Sequence, residues 1–542
     1  MSLQQSARQQ LRRVETTEPR ALADKPIALL VSPHDAVHAR LDGIETFSLV
    51  LDGRALTMQA ALPRRYCKSR RRQCALLILL EAGDLFGSAV EMSRLLAASR
   101  EVQECIVVDA SGIAAGDARA LAALVAACRR RYRVSAGQVA LFGHGSTAEA
   151  LLGAFAKGIA GAPFCIVGSA APIKRQMPTP AAETSIAWTI AGKAVSERQP
   201  GISWKLLPEA SAAGLAIPAL LHGLRTFWGR AHQYGDEVMP LTHAAIHHSA
   251  RALAPLLRRL ARRPVFAPNR ANPQVVRAQA MGRDFEVFVA LPQGITPPQG
   301  GFPLLIALDA NGGFATVVET VARLARAGET EPAIVVGIGT PRAEGDLEFG
   351  FRRFEELSPP MAADYRFDDV LGRFFRALFA LRGQDARVQL GQAPAFHDFI
   401  ASELLPQLLT SLPVNAQAVS LLGHSAAGTF VAYALAQPRS PFSGFLCLSP
   451  GVAISGGWMM RNAASSLAQR GRPAKLFVAL GGEELHNRFN GIAGIPETLP
   501  WVQRLRAHGL PDAKCHVLQG ETHTTVYPRA LAQGLRAILP RV

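Results

Sequence analysis

The 542 residues are 49% hydrophobic and 18% charged, which excludes a disordered or collagen-like chain and, at this length, a single compact core. A formal charge of +16 points toward anionic partners. The basic residues, however, fall in short clusters such as Arg70–Arg72 and Arg129–Arg131, without the interleaved aromatics of a single-strand binder, so nucleic acid is not expected as a partner.

The N-terminal stretch, residues 1–25, has no apolar core of a secretory signal, and no run of 18 apolar residues follows it. Seven cysteines at irregular spacing, several inside apolar runs such as Phe164-Cys165-Ile166-Val167, read as buried reduced thiols. A cytoplasmic chain without a membrane span is expected.

Residues 26–240 and 271–542 repeat one pattern. LTMQAALP ending at Pro63 resembles FEVFVALP ending at Pro292. ALLILLEAGDLFGSAVEMSRLLA from Ala75 resembles PLLIALDANGGFATVVETVARLA from Pro303. VSAGQVALFGHGS from Val134 lines up with VNAQAVSLLGHSA from Val414, and IPALLHGLRTF around Pro218 with YPRALAQGLRAI around Pro528. Four blocks in one order imply a tandem duplication. Between the copies, residues 241–270 have helical periodicity and read as a linker helix. His243 and His247 stand at a zinc-pair spacing there, but without a companion glutamate or third ligand no metal is expected.

In the second copy short apolar runs alternate with helical patterns. Strands are predicted at 285–291, 304–308, 333–338, 419–422, 445–448, 476–480 and 515–518, with helices at 316–327, 395–412, 426–436, 499–507 and 528–538. Such alternation predicts an α/β fold: a tandem pair of α/β-hydrolase-like domains, each a mostly parallel sheet flanked by helices. The segment 360–393 is longer than that fold requires, and its apolar face fits either a lid or a packed surface helix.

The chemistry centres on AVSLLGHSAAGT, Ala418 to Thr429. An apolar strand runs into Gly423-His424-Ser425-Ala426-Ala427 and a helix pattern follows, the layout of a nucleophile elbow. Ser425 needs a base, and His523, after the last predicted strand, occupies the late position expected of one. Glu483 and Glu484, after the strand 476–480, are both candidates for the acid that orients the imidazole. An oxyanion hole would take the amides of Ala426 and of Ala310 in the small-residue loop Asp309-Ala310-Asn311-Gly312-Gly313. His424 adjoins the nucleophile and reads as a structural or substrate-side neighbour, and Asn311 as a substrate contact. No cofactor is called for.

The blocks LLIALDANGGF, RRFEELSPP, AFHDFIASELLPQLL, SLLGHSAAGTFVAYALAQP, FLCLSPGV and GETHTTVYPRAL resemble those of the putative-esterase family. That family includes siderophore esterases of the enterochelin and salmochelin type as well as feruloyl esterases. The resemblance implies a serine esterase with Ser425 and His523 catalytic. It also implies that Arg353, in the RRFEELSPP block, faces an anionic ligand. Asp309-Ala310 departs from the family's Asp-Gly. A small-molecule ester, of the anionic ferric-siderophore class, is the expected partner. Acyl transfer at the same site and a non-catalytic binding scaffold are the alternatives. In the first copy Gly145 stands where Ser425 does, at an offset of 280, and Ala213 where His523 does, at 310. That copy reads as a degenerate, non-catalytic domain serving packing, substrate shaping or homodimer formation.

Overall fold

The computed structural model describes residues 31–33, 41, 43–63, 66, 73–81, 85–169, 184–191, 201–208, 210–229 and 274–539. The expected tail, the linker helix, His243 and His247 lie outside the described residues.

The strands are β1 (Val31–Pro33), β2 (Ile44–Leu51), β3 (Arg54–Ala61), β4 (Cys74–Leu79), β5 (Cys105–Asp109), β6 (Val134–His144), β7 (Phe164–Ser169), β8 (Ser185–Ile190) and β9 (Ile202–Leu206). They continue with β10 (Gln274–Ala278), β11 (Arg283–Leu291), β12 (Phe302–Leu308), β13 (Ile334–Gly339), β14 (Val414–His424), β15 (Gly444–Leu448), β16 (Lys475–Gly481) and β17 (Lys514–Leu518). One sheet runs β2-β3-β5-β4-β6-β7-β8-β9. The other repeats that order with every number raised by eight, as β10-β11-β13-β12-β14-β15-β16-β17. β1 joins the second sheet as well, parallel to β11 through Val31 and Val289. Pairings among β2, β3 and β5, and among β10, β11 and β13, are antiparallel, whereas β4 pairs parallel to β5 and β12 to β13. Beyond them the strands run parallel, as in β6–β7 and β14–β15.

Parallel strands bury both faces, which is why they read as unbroken apolar runs. Leu304–Ile306 and Leu76–Leu79 are fully buried. Each sheet has one core on either face, built by flanking helices; Phe399, Phe430 and Phe445 anchor one of the second sheet's cores and Leu531 and Leu535 the other. The sequence-predicted helix 395–412 is a continuous helical run whose middle, Phe399–Leu404, widens to π geometry.

The segment 360–393 packs rather than stands off. Its helix Val370–Ala380 buries Leu371, Phe375 and Phe379 with Phe351 and Ile454 in a core of their own. Arg382 ties it down through Glu348 at 2.8 Å and Glu355 at 3.1 Å. Among the described residues the cysteines form no disulfide; five are buried and Cys515 is half-buried. Among those residues, too, no helix is long and apolar enough to cross a membrane.

Candidate active site

β14 ends at His424, and the helix Ala426–Leu435 begins one residue beyond Ser425. Ser425 turns the chain between them with φ 61° and ψ −123°, a backbone region an L-residue enters only when its surroundings hold it there. Its amide donates to Leu448 O at 2.9 Å, which ties the turn to the next strand. The turn also demands small neighbours. A Cβ on Gly423 would run into the Ala427 carbonyl, and one on Gly428 into the Leu448 carbonyl. The sequence pattern placed the last small residue at Ala427; the close approach falls on Gly428 as well. In the first sheet Gly145 turns the chain with φ 58° and ψ −123°, its amide on Gly168 O at 3.0 Å.

His523 lies in the loop between β17 and the helix Val526–Ile538. Its Nε2 is 2.9 Å from Ser425 Oγ. Its Nδ1 bonds Glu484 Oε1. A carboxylate only accepts, so Nδ1 carries the proton and Nε2 is left to accept from the serine hydroxyl. Glu484 is fully buried in the short helical turn after β16, and its other oxygen accepts from Ser449 Oγ at 2.7 Å and from the Gly481 amide at 2.5 Å. Serine, imidazole and carboxylate thus form one chain of hydrogen bonds at the carboxyl ends of parallel strands, where open α/β sheets form their crevices. Glu483 is exposed, and the two adjacent glutamates, equivalent in sequence, separate on orientation. Ser449, just past β15, escaped the sequence reading; its only signal was its place after an apolar strand.

The other sequence-selected residues sit around this chain. The His424 ring lies 4.7 Å from that of His523 and 5.5 Å from that of Tyr527. Burial, reinforced by His523 and Arg353, holds its imidazole well below its usual pKa, so it is neutral. Arg353 is engaged with Asp309: Nε stands 3.0 and 2.9 Å from the two carboxylate oxygens and Nη2 2.8 Å from Oδ2. Its guanidinium therefore fixes a loop residue held at φ 55° and is already neutralised. The Asn311 side chain is spent on the Thr340 backbone, accepting from its amide at 2.8 Å and donating to its carbonyl at 2.6 Å.

Ala310 requires a correction. Its amide donates to Ile338 O at 3.0 Å, extending the pairing of β12 with β13, and is not free to receive an oxyanion. The next amide of the loop is that of Asn311. Ala426, at the first position of its helix, has the unspent amide expected of a helix start.

The arrangement can do nucleophilic chemistry: a hydroxyl on a base, a base on a buried acid, and a helix N-terminus beneath the nucleophile. By sequence, the chain is similar to known esterases. The chain is 25% identical over 263 residues to ferri-bacillibactin esterase BesA of Bacillus subtilis, covering 47% of this chain and 85% of that protein. Similar solved structures include the BES protein from Bacillus cereus, 22% identical over 49% of this chain and 94% of that one, with a TM-score of 0.39. Another is the siderophore hydrolase EstB from Aspergillus nidulans, 22% identical over 50% and 95%, with a TM-score of 0.41. Residues 381–537 match the family described as Putative esterase. The likeness to that esterase family therefore lies in the C-terminal half of the chain, in the residues that carry the candidate site.

Proposed function

We propose that the chain is a serine carboxylic-ester hydrolase in which Ser425 is the nucleophile of an elbow turn, His523 its base and Glu484 the acid that orients the imidazole. The observation that carries this reading is the 2.9 Å approach of His523 Nε2 to Ser425 Oγ, with Nδ1 held by a buried carboxylate. Ser425 Oγ adds to the ester carbonyl as its proton passes to His523 Nε2. The tetrahedral oxyanion rests on the amides of Ala426 and Asn311. Collapse expels the alcohol, which takes the proton from His523, and leaves an acyl-enzyme. Water, deprotonated by the same nitrogen, then releases the acid and restores the serine.

We take the substrate to be an ester siderophore of the ferri-bacillibactin kind, supported by the name of the curated relative and by a +16 chain that would draw in an anionic ligand. The first unit is read as non-catalytic, because Gly145 replaces the nucleophile and neither Ala212, which meets His144 as the His523 backbone meets His424, nor Ala213 can act as a base. The cysteines among the described residues, most of them buried thiols, suit a reducing cytoplasm.

The test is hydrolysis of a short-chain p-nitrophenyl ester by the parent, Ser425→Ala and His523→Ala, followed by ferric triester siderophores against feruloyl esters. Turnover by the parent and background rates in both variants are expected. An inert parent, or activity retained in Ser425→Ala, would overturn the reading; preference for feruloyl esters would overturn the substrate.

A further inference from the structure

The three residues immediately before His523 are each held by the first unit. Arg225 Nη1 donates to Gly520 O at 2.9 Å. Lys205 Nζ meets Glu521 Oε1 at 2.7 Å, and Arg225 Nη1 lies 3.5 Å from the other oxygen. Thr522 Oγ1 donates to Glu101 Oε1 at 2.9 Å. We infer that the first unit positions the base: Lys205, Arg225 and Glu101 act through Glu521, Gly520 and Thr522 to hold His523 between Glu484 and Ser425. The inference rests on His523 being the base, and it gives the first unit a part in the chemistry without a reactive group of its own.

The loop has limited support within its own unit. Glu521 O accepts from the Glu483 amide at 3.1 Å, and Thr522 and Thr525 exchange amide-to-hydroxyl bonds at 2.8 and 3.2 Å. Those contacts fix the loop's base and the start of the following helix. They leave the Glu521 carboxylate, 2% exposed, with a same-unit cation no nearer, among the described residues, than Arg529 at 3.9 Å. A buried carboxylate without a close cation is costly, and a loop carrying one gains by moving it toward water. Two residues on, that movement would shift the imidazole, and displacement by about 1 Å lowers turnover by roughly 100-fold. The reverse contact is reduced. Arg536, in the same Gly-Leu-Arg tripeptide as Arg225, reaches Ser211 of the first unit at 2.8 Å. There the following residues are Ala212 and Ala213, with no base to place.

The experiment uses the full chain with Lys205→Met, the near-isosteric Thr522→Val, and Lys205→Arg as the conservative control. Two readouts are taken: kcat and KM on a p-nitrophenyl ester, and the far-downfield proton resonance of His523 Nδ1–H on Glu484, assigned by its loss in His523→Ala. Lys205→Met and Thr522→Val should lose roughly 10- to 100-fold in kcat with KM little changed, and the resonance should broaden or vanish; Lys205→Arg should keep most of both. Folded Lys205→Met and Thr522→Val that retain parental kcat and a sharp resonance would overturn the proposal. If Lys205→Met does not fold, Thr522→Val decides. An inert parent would overturn the hydrolase reading alone, since the resonance still reports whether the first unit holds His523.

Discussion

Glu91 and Glu319 cap each other's helices. Glu91 Oε1 accepts from the Ala315 amide at 3.0 Å, and Oε2 from the amide and hydroxyl of Thr316 at 2.7 and 2.6 Å. Glu319 answers with the Gly87 amide at 2.8 Å and the amide and hydroxyl of Ser88, each at 2.6 Å. The two helices, Phe86–Ala98 and Phe314–Arg326, have no side-chain caps of their own, since Leu85 and Gly313 supply none. Each orphaned N-terminus is completed across the junction. The approach is close: a Cβ on Gly87 would collide with the Glu319 carboxylate and the Ala315 methyl. The copies thus meet as the subunits of a two-fold dimer do, each presenting the same patch to the other.

Removing one of these carboxylates should be severe. Glu91→Ala leaves buried amides of Ala315 and Thr316 without acceptors, and a loss of about 3 kcal/mol is expected in urea unfolding. A loss below about 1 kcal/mol would show that the junction tolerates open helix ends.

Glu319 also sets a pH dependence opposite to that of most carboxylates. Burial raises its pKa from 4.5 to about 7, against the opposing pull of its hydrogen bonds. Between those values the folded chain holds a proton that the unfolded chain releases. Its contribution is therefore fully present below pH 4.5 and is lost as pH rises through about 7. Melting temperatures measured across that window should fall with pH in the parent and less steeply in Glu319→Gln, the remaining slope belonging to groups such as Glu356, which burial also raises to about 7; equal slopes would exclude Glu319 as a titrating group.

The two glutamates after β16 should separate in kinetics as they do in orientation. Glu484→Gln keeps the shape but loses the charge that holds the Nδ1 proton, and kcat should drop by roughly 10²- to 10⁴-fold. Glu483→Gln should stay within about twofold of the parent. The reverse ranking would reassign the acid.

Gly145 and Ser425 share one backbone geometry at unequal cost. A Cβ on Gly145 meets nothing within 4 Å, so Gly145→Ser should cost only the positive-φ strain, about 1–2 kcal/mol in thermal unfolding. In a Ser425→Ala background it should restore no ester hydrolysis, because Ala212 and Ala213 offer no base. Conversely, Ser425→Gly should raise the melting temperature while abolishing turnover.

Much of this was legible in the sequence. The strands predicted at 445–448 and 515–518 lie within β15 and β17 to a residue, because buried parallel strands are short apolar runs with sharp edges. The duplication was visible in four blocks, and the shared strand order follows from it. Ser425 and His523 could be selected because strand, turn and helix leave a mark in composition. β10, Gln274–Ala278, was missed because a five-residue edge strand with Gln and Arg on it carries little periodicity. Glu484 could not be told from Glu483, since one step along a turn decides which side chain faces inward. Ala310 was misjudged because whether an amide is spent depends on a partner, Ile338, in another strand. The contacts of Lys205 and Glu101 with the His523 loop left no local trace at all, since each joins residues of two repeats that read independently.

The clasp on that loop has a consequence in time. Lys205 and Glu521 are 316 residues apart, and at roughly 5–20 residues per second a ribosome separates their appearance by roughly 15–60 s. Domains fold as units during synthesis, so the first copy has ample opportunity to finish before the loop emerges. The second copy's last loop then docks onto a surface already set, with its loop-closure entropy reduced by a partner that no longer moves.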